Sequence, residues 1–125
     1  MPLVTSKQML EDAFRNHYAI GAFAIHNLEI MKAVVEAAEE LDAPIILQTT
    51  PSTIRYVGLN YLMALVKAAA EQAKVPIALH LDHGDSFEII SRCLREGYTS
   101  LMIDGSHLPY DENVGLVKKV VNMAH

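Results

Sequence analysis

Within six residues, His80-Leu81-Asp82-His83-Gly84-Asp85, the sequence places two imidazoles and two carboxylates. A neutral imidazole is a good ligand for a divalent metal, and a carboxylate beside it can carry a proton. The group follows an apolar run, Val75 to Leu81, so it falls where a strand ends. Adjacent strand residues point to opposite faces, so Asp82 and His83 can share a site only where the backbone turns. Gly84 is expected to permit that turn. A helix cap with a hydrogen-bonded histidine accounts for the same residues without any chemistry. One histidine is also not a metal site, because catalytic zinc usually takes three protein ligands. His26, Asp104 and His107 are further candidates, but no HExxH or CxxC motif chooses among them.

Three other turns carry polar groups. In Asp104-Gly105-Ser106-His107, the carboxylate suits either a cation or the orientation of His83, and a plain strand-to-loop turn explains it equally. Thr49-Thr50-Pro51-Ser52-Thr53 offers hydroxyls and backbone donors to a phosphate, or serves only as a helix cap. Ile25-His26-Asn27 follows the first apolar run. There is no GxGxxG, Walker A or GxSxG motif. His17 and His125 read as surface positions, and Cys93, between Ile90 and Leu94, as a buried and inert thiol.

Elements that would position these turns alternate along the chain. Short apolar runs cover Ala19 to Ile25, Pro44 to Gln48, Val75 to Leu81 and Thr99 to Ile103. Their length and two-sided apolarity predict strands of a covered parallel sheet. Helical spacing links Leu28, Met31, Val35 and Ala38, then Leu59, Leu62, Leu65, Val66 and Ala69. Phe87, Ile90 and Leu94 form a third stripe, and Val114, Val117 and Val121 a fourth. Thr5-x-x-Gln8 and Asp85-x-x-Glu88 read as capping boxes, and Gly97 as a helix C-cap.

The pattern is α/β: an N-terminal helix, then four β/α units in a single domain over residues 1–125. Strand starts near 19, 44, 75 and 99 are separated by 25, 31 and 24 residues, near the repeat of roughly 30 residues in an eight-unit barrel. Four units make half a (β/α)8 TIM barrel. A small doubly wound sheet fits the same periodicity. A half-barrel has two open edges and needs a completing half or another chain, and the uncapped stretch Val120 to His125 reads as a cut end.

Composition narrows the function. Half the residues, 51%, are apolar, enough for a packed core. Ten Lys and Arg against fifteen Asp and Glu give a net charge of −5, which argues against nucleic-acid or anionic-membrane partners. One cysteine, no apolar start and no run long enough to span a bilayer lead to the expectation of a soluble, cytoplasmic chain.

The blocks Ile77 to Gly84 and Ser100 to His107, with Ile25 to Glu29 before them, resemble the class II, zinc-dependent ketose-bisphosphate aldolases. The resemblance covers the whole chain and leans to the tagatose-bisphosphate branch, with the fructose-bisphosphate branch close by. It implies a (β/α)8 barrel and selects the half-barrel of the two folds. It implies zinc as cofactor, Asp82 as catalytic acid/base, His83 as a metal ligand, Asp104 as a carboxylate at a second metal position, and Thr50 as a substrate-phosphate contact. The implied partners are a phosphorylated sugar and further copies of the chain, as a dimer or tetramer. No lysine Schiff base is needed, in keeping with the absence of a strand-end lysine.

Two departures bear on that implication. The family usually has Asn after the strand-one Phe, where this chain has Ala24. Its other two zinc histidines and its glycine-rich phosphate loops belong to the second half of the barrel. The isolated 125-residue chain is therefore expected to be inactive. The alternative is a non-catalytic half-barrel acting as a structural or assembly subunit.

Overall fold

The computed structural model describes residues 3–125. Helix α1 (Ser6–Asn16) leads into β1 (Gly21–Ala24), α2 (Leu28–Glu40) and β2 (Ile45–Thr49). Then come α3 (Pro51–Val57), α4 (Leu59–Gln72), β3 (Ile77–Gly84), α5 (Phe87–Glu96), β4 (Ser100–Ile103) and α6 (Tyr110–Ala124). The strands form one parallel sheet in the order β1-β2-β3-β4.

That order decides between the two folds left open by periodicity. A doubly wound sheet reverses its strand order at a switch point. Here each strand lies beside its predecessor. With right-handed crossovers, sequential addition sends every connecting helix to the same face, as in a barrel. The chain is an α/β half-barrel.

Strand alternation then assigns the two faces. Ile45, Leu47 and Thr49 of β2 and Ile77, Leu79 and Leu81 of β3 are buried on the helical side. They pack with Met31, Val35 and Ala38 of α2, Leu62 and Val66 of α4, and Ile90 and Cys93 of α5. In-register neighbours share a face, so Ala24, Gln48, His80 and Ser100 line the other side together. Asp82 follows His80 on that face. The open face is thus more polar toward the C-terminal ends of the strands, where a barrel keeps its chemistry.

Helix α1 sits at the opposite end. The segment before it is tied to β3 by Val4 N–H donating to Ile77 O at 2.9 Å. Ser6 Oγ donates to Ser100 Oγ at 3.3 Å, and Ser100 meets His80 Nδ1 at 2.7 Å.

Several local expectations change. Thr5 is the α1 N-cap residue but makes no side-chain cap bond. The α5 cap lies one residue beyond Asp85: Ser86 Oγ accepts from Ile89 N–H at 3.3 Å. Its extended backbone leaves the serine hydroxyl, not the carboxylate, facing the free amides. A separate helix, α3, precedes α4, and Gly58 with φ of 90° divides them. On α6 the residue that sinks into the core is Val120, whereas Val117 and Val121 are about 40% exposed. Gly97 ends α5 in the left-handed conformation, as its position predicts.

Candidate active site

Between β3 and β4 the pairing runs Leu81 with Leu101, then Gly84 with Ile103. One extra residue is therefore held on β3, a bulge at Asp82-His83. His83 takes the left-handed conformation, φ 51°, a strained state for a non-glycine residue. The bulge breaks strict alternation, and the two neighbouring side chains meet: His83 Nε2 lies 3.8 Å from Asp82 Oδ2. The turning residue is His83 rather than Gly84. Gly84 serves close packing instead, since a Cβ there would stand 2.6 Å from Met102 O and 2.8 Å from Ile90 Cδ1.

Asp104 approaches His83 from β4, with Oδ2 at 2.9 Å from Nδ1. Its own backbone is fixed by Asp104 N–H donating to Gly84 O at 2.8 Å, and its Oδ1 accepts from Ser106 N–H at 3.0 Å. The hydrogen bond to His83, with those from Ser106, holds the Asp104 carboxyl far below the usual carboxylate range. In turn the Asp104 hydrogen bond, reinforced by the Asp82 charge, raises His83 above an ordinary imidazole. Deeper on the same face, burial lowers His80 despite the pull of Asp82.

The other sequence candidates fall nearby or apart. Thr50 is the N-cap of α3, its Oγ accepting from Thr53 N–H at 3.3 Å and meeting Ser52 Oγ at 2.8 Å. His26 Nδ1 meets the buried Thr53 Oγ at 2.9 Å, joining the turn after β1 to the first turn of α3. His17 and His125 are exposed, and His107 is exposed beyond the Asp104 turn. Cys93 is buried, and burial pushes its thiol up to about 11. Sequence motifs included His80 but passed over its Ser100 partner and Gln48, whose Nε2 donates to Asp82 Oδ2 at 3.4 Å. The signal for them was polar residues two apart on otherwise apolar strands.

Among the described residues, no three His, Cys, Asp or Glu side chains come together as a metal cage. The donor set does fit one corner of a site. Asp104 holds Nδ1 of His83 and leaves Nε2 available, the arrangement by which a carboxylate fixes the tautomer of a metal-binding imidazole.

The description of the class-II fructose-bisphosphate aldolases matches residues 4–125. The chain belongs to that family. Among solved structures, this aldolase-family chain is similar to the YdjI aldolase of Escherichia coli K12, with 33% identity and a TM-score of 0.91. That match covers 97% of this chain and 47% of the other. A putative fructose-1,6-bisphosphate aldolase of Coccidioides immitis matches at 35% identity and TM-score 0.88, over 95% of this chain and 42% of that one. Fructose-bisphosphate aldolase of Campylobacter jejuni shares the fold at TM-score 0.76 and 18% identity, over 94% and 42% of the two chains. This chain thus spans less than half the length of the solved structures it matches. No helix among its described residues is long and apolar enough to cross a membrane.

Proposed function

We propose that this chain contributes the acid/base residue and one metal-binding histidine to a class II aldolase. The reaction is reversible, metal-dependent cleavage of a ketose 1,6-bisphosphate, tagatose or fructose, to dihydroxyacetone phosphate and glyceraldehyde 3-phosphate. The observation that supports it is the β3 bulge, which brings Asp82 and His83 together while Asp104 holds the far nitrogen of His83.

When bound, zinc supplies a Lewis acid for the negative charge that develops on the ketone oxygen. Asp82 takes the proton from the C4 hydroxyl as the C3–C4 bond breaks, and returns it to the aldehyde oxygen in the condensation. His83 offers Nε2 to the metal. Asp104, given by resemblance as a carboxylate at a second metal position, acts in this conformation through His83 by fixing its ring. Thr50 contacts a substrate phosphate, with the Ser52 hydroxyl at its side. The remaining zinc ligands come from the second half of the barrel, so the isolated 125-residue chain is inactive. The functional form is a cytoplasmic homo-oligomer.

In a complete barrel carrying this chain, chelation abolishes ketose-bisphosphate cleavage and added zinc restores it. Cleavage that persists in excess chelator would overturn the metal-dependent reading.

A further inference from the structure

We propose that Gln48 is a positioning residue for Asp82 and also reads the substrate hydroxyl next to the one Asp82 deprotonates. The proposal rests on the aldolase reading of the same site. Gln48 stands at the end of β2 on the open face, in register with Ala24 on one side and His80 on the other. Asp82 lies diagonally across from it, two residues beyond His80, a span a long side chain covers. The contact is Nε2 to Asp82 Oδ2 at 3.4 Å, between two half-buried side chains. A carboxylate only accepts, so the amide nitrogen must face it.

This assignment orients the rest of the amide. With Nε2 on Asp82, Oε1 is left as an acceptor, and no side chain or backbone group among the described residues donates to it. From β1, Ala24 presents only a methyl group beside it. An amide carries its donor and its acceptor on one carbon. A polyol bound with one hydroxyl at Asp82 therefore brings a vicinal hydroxyl to Oε1. Of the two hydroxyls vicinal to C4, the one on C3 stays with the ketone half, on the side where the metal would sit, so the proposal assigns Oε1 to the C5 hydroxyl, which leaves with the aldehyde product. Gln48 thus couples the aim of the base to recognition of the aldehyde half.

Two measurements test this. The first needs no activity: in the 125-residue chain, the Gln48 side-chain amide resonances are compared between wild type and Asp82→Asn. A displaced and more rapidly exchanging NH2 pair in the variant is expected; identical spectra would overturn the pairing. The second uses the complete zinc-loaded barrel. Gln48→Ala is expected to lower kcat about 10–100-fold, the scale of a misplaced catalytic group, with zinc content unchanged. Gln48→Glu, which sets a like charge against Asp82, is expected not to rescue it. The loss should shrink with a ketose bisphosphate lacking the C5 hydroxyl. An unchanged kcat, or equal losses on both substrates, would overturn the proposal. If the wild-type barrel cleaves no ketose phosphate, the aldolase reading fails by itself, and the spectra still decide the Gln48–Asp82 contact.

Discussion

His83 links backbone strain to chemistry. Its left-handed conformation turns the ring toward Asp82, and Asp104 then fixes which nitrogen faces outward. In the metal-free protein the two partners stabilise each other within a definite pH window. The raised His83 contributes fully below the ordinary imidazole value and loses its contribution as pH rises through its folded value. The depressed Asp104 contributes above the ordinary carboxylate value and loses its contribution as pH falls. Asp104→Asn should therefore lower the urea midpoint most between about pH 4 and 6.5 and much less at pH 8.5, a gap that paired denaturation curves would show. In the complete barrel the same substitution should weaken zinc binding about 10–100-fold by competition titration. Cys93, with its thiol near 11, should resist alkylation at pH 8 until the protein is unfolded. At this scale the sequence singled out Asp82, His83 and Asp104 as candidates, because they end otherwise apolar strands, and the structure brings the three together. The sequence did not expose the contacts of Gln48, since a diagonal reach across strands depends on register.

The bulged pair of β3 and β4 is the element on which the site depends. Gly84 is required there by space rather than by backbone conformation, because Met102 O and the Ile90 side chain occupy the volume a Cβ would need. Gly84→Ala should cost about 1–3 kcal/mol in denaturant unfolding, the range for overpacking a tight contact. Ser86→Ala removes the α5 cap and should cost about 1 kcal/mol. All four strands and helices α2, α4, α5 and α6 were legible from apolar runs and helical spacing. The bulge was not, since nothing local distinguishes an extra residue in β3 from a strand that simply ends. The division of α3 from α4 at Gly58 escaped for a related reason: Pro51 to Val57 is too short to show a stripe.

At the scale of the molecule, the strand order separated a barrel piece from a doubly wound sheet, a choice that unit length alone left open. Hydrophobic periodicity reports which residues are covered, not the order in which strands are laid down. The motifs at two strand ends pointed to the barrel through the family they resemble, and the sequential sheet agrees with it. The sheet gathers Asp82, His83 and Asp104 at one end and fastens α1 at the other, which divides the site from its support. The division of labour among the three acidic and imidazole groups is tested most directly by comparing Asp82→Ala with His83→Ala in the complete barrel, reading bound zinc and ketose-bisphosphate cleavage together. The account predicts that Asp82→Ala keeps its zinc and loses about 10²–10⁴-fold in cleavage, whereas His83→Ala loses both. Cleavage by Asp82→Ala within a few fold of wild type would contradict it.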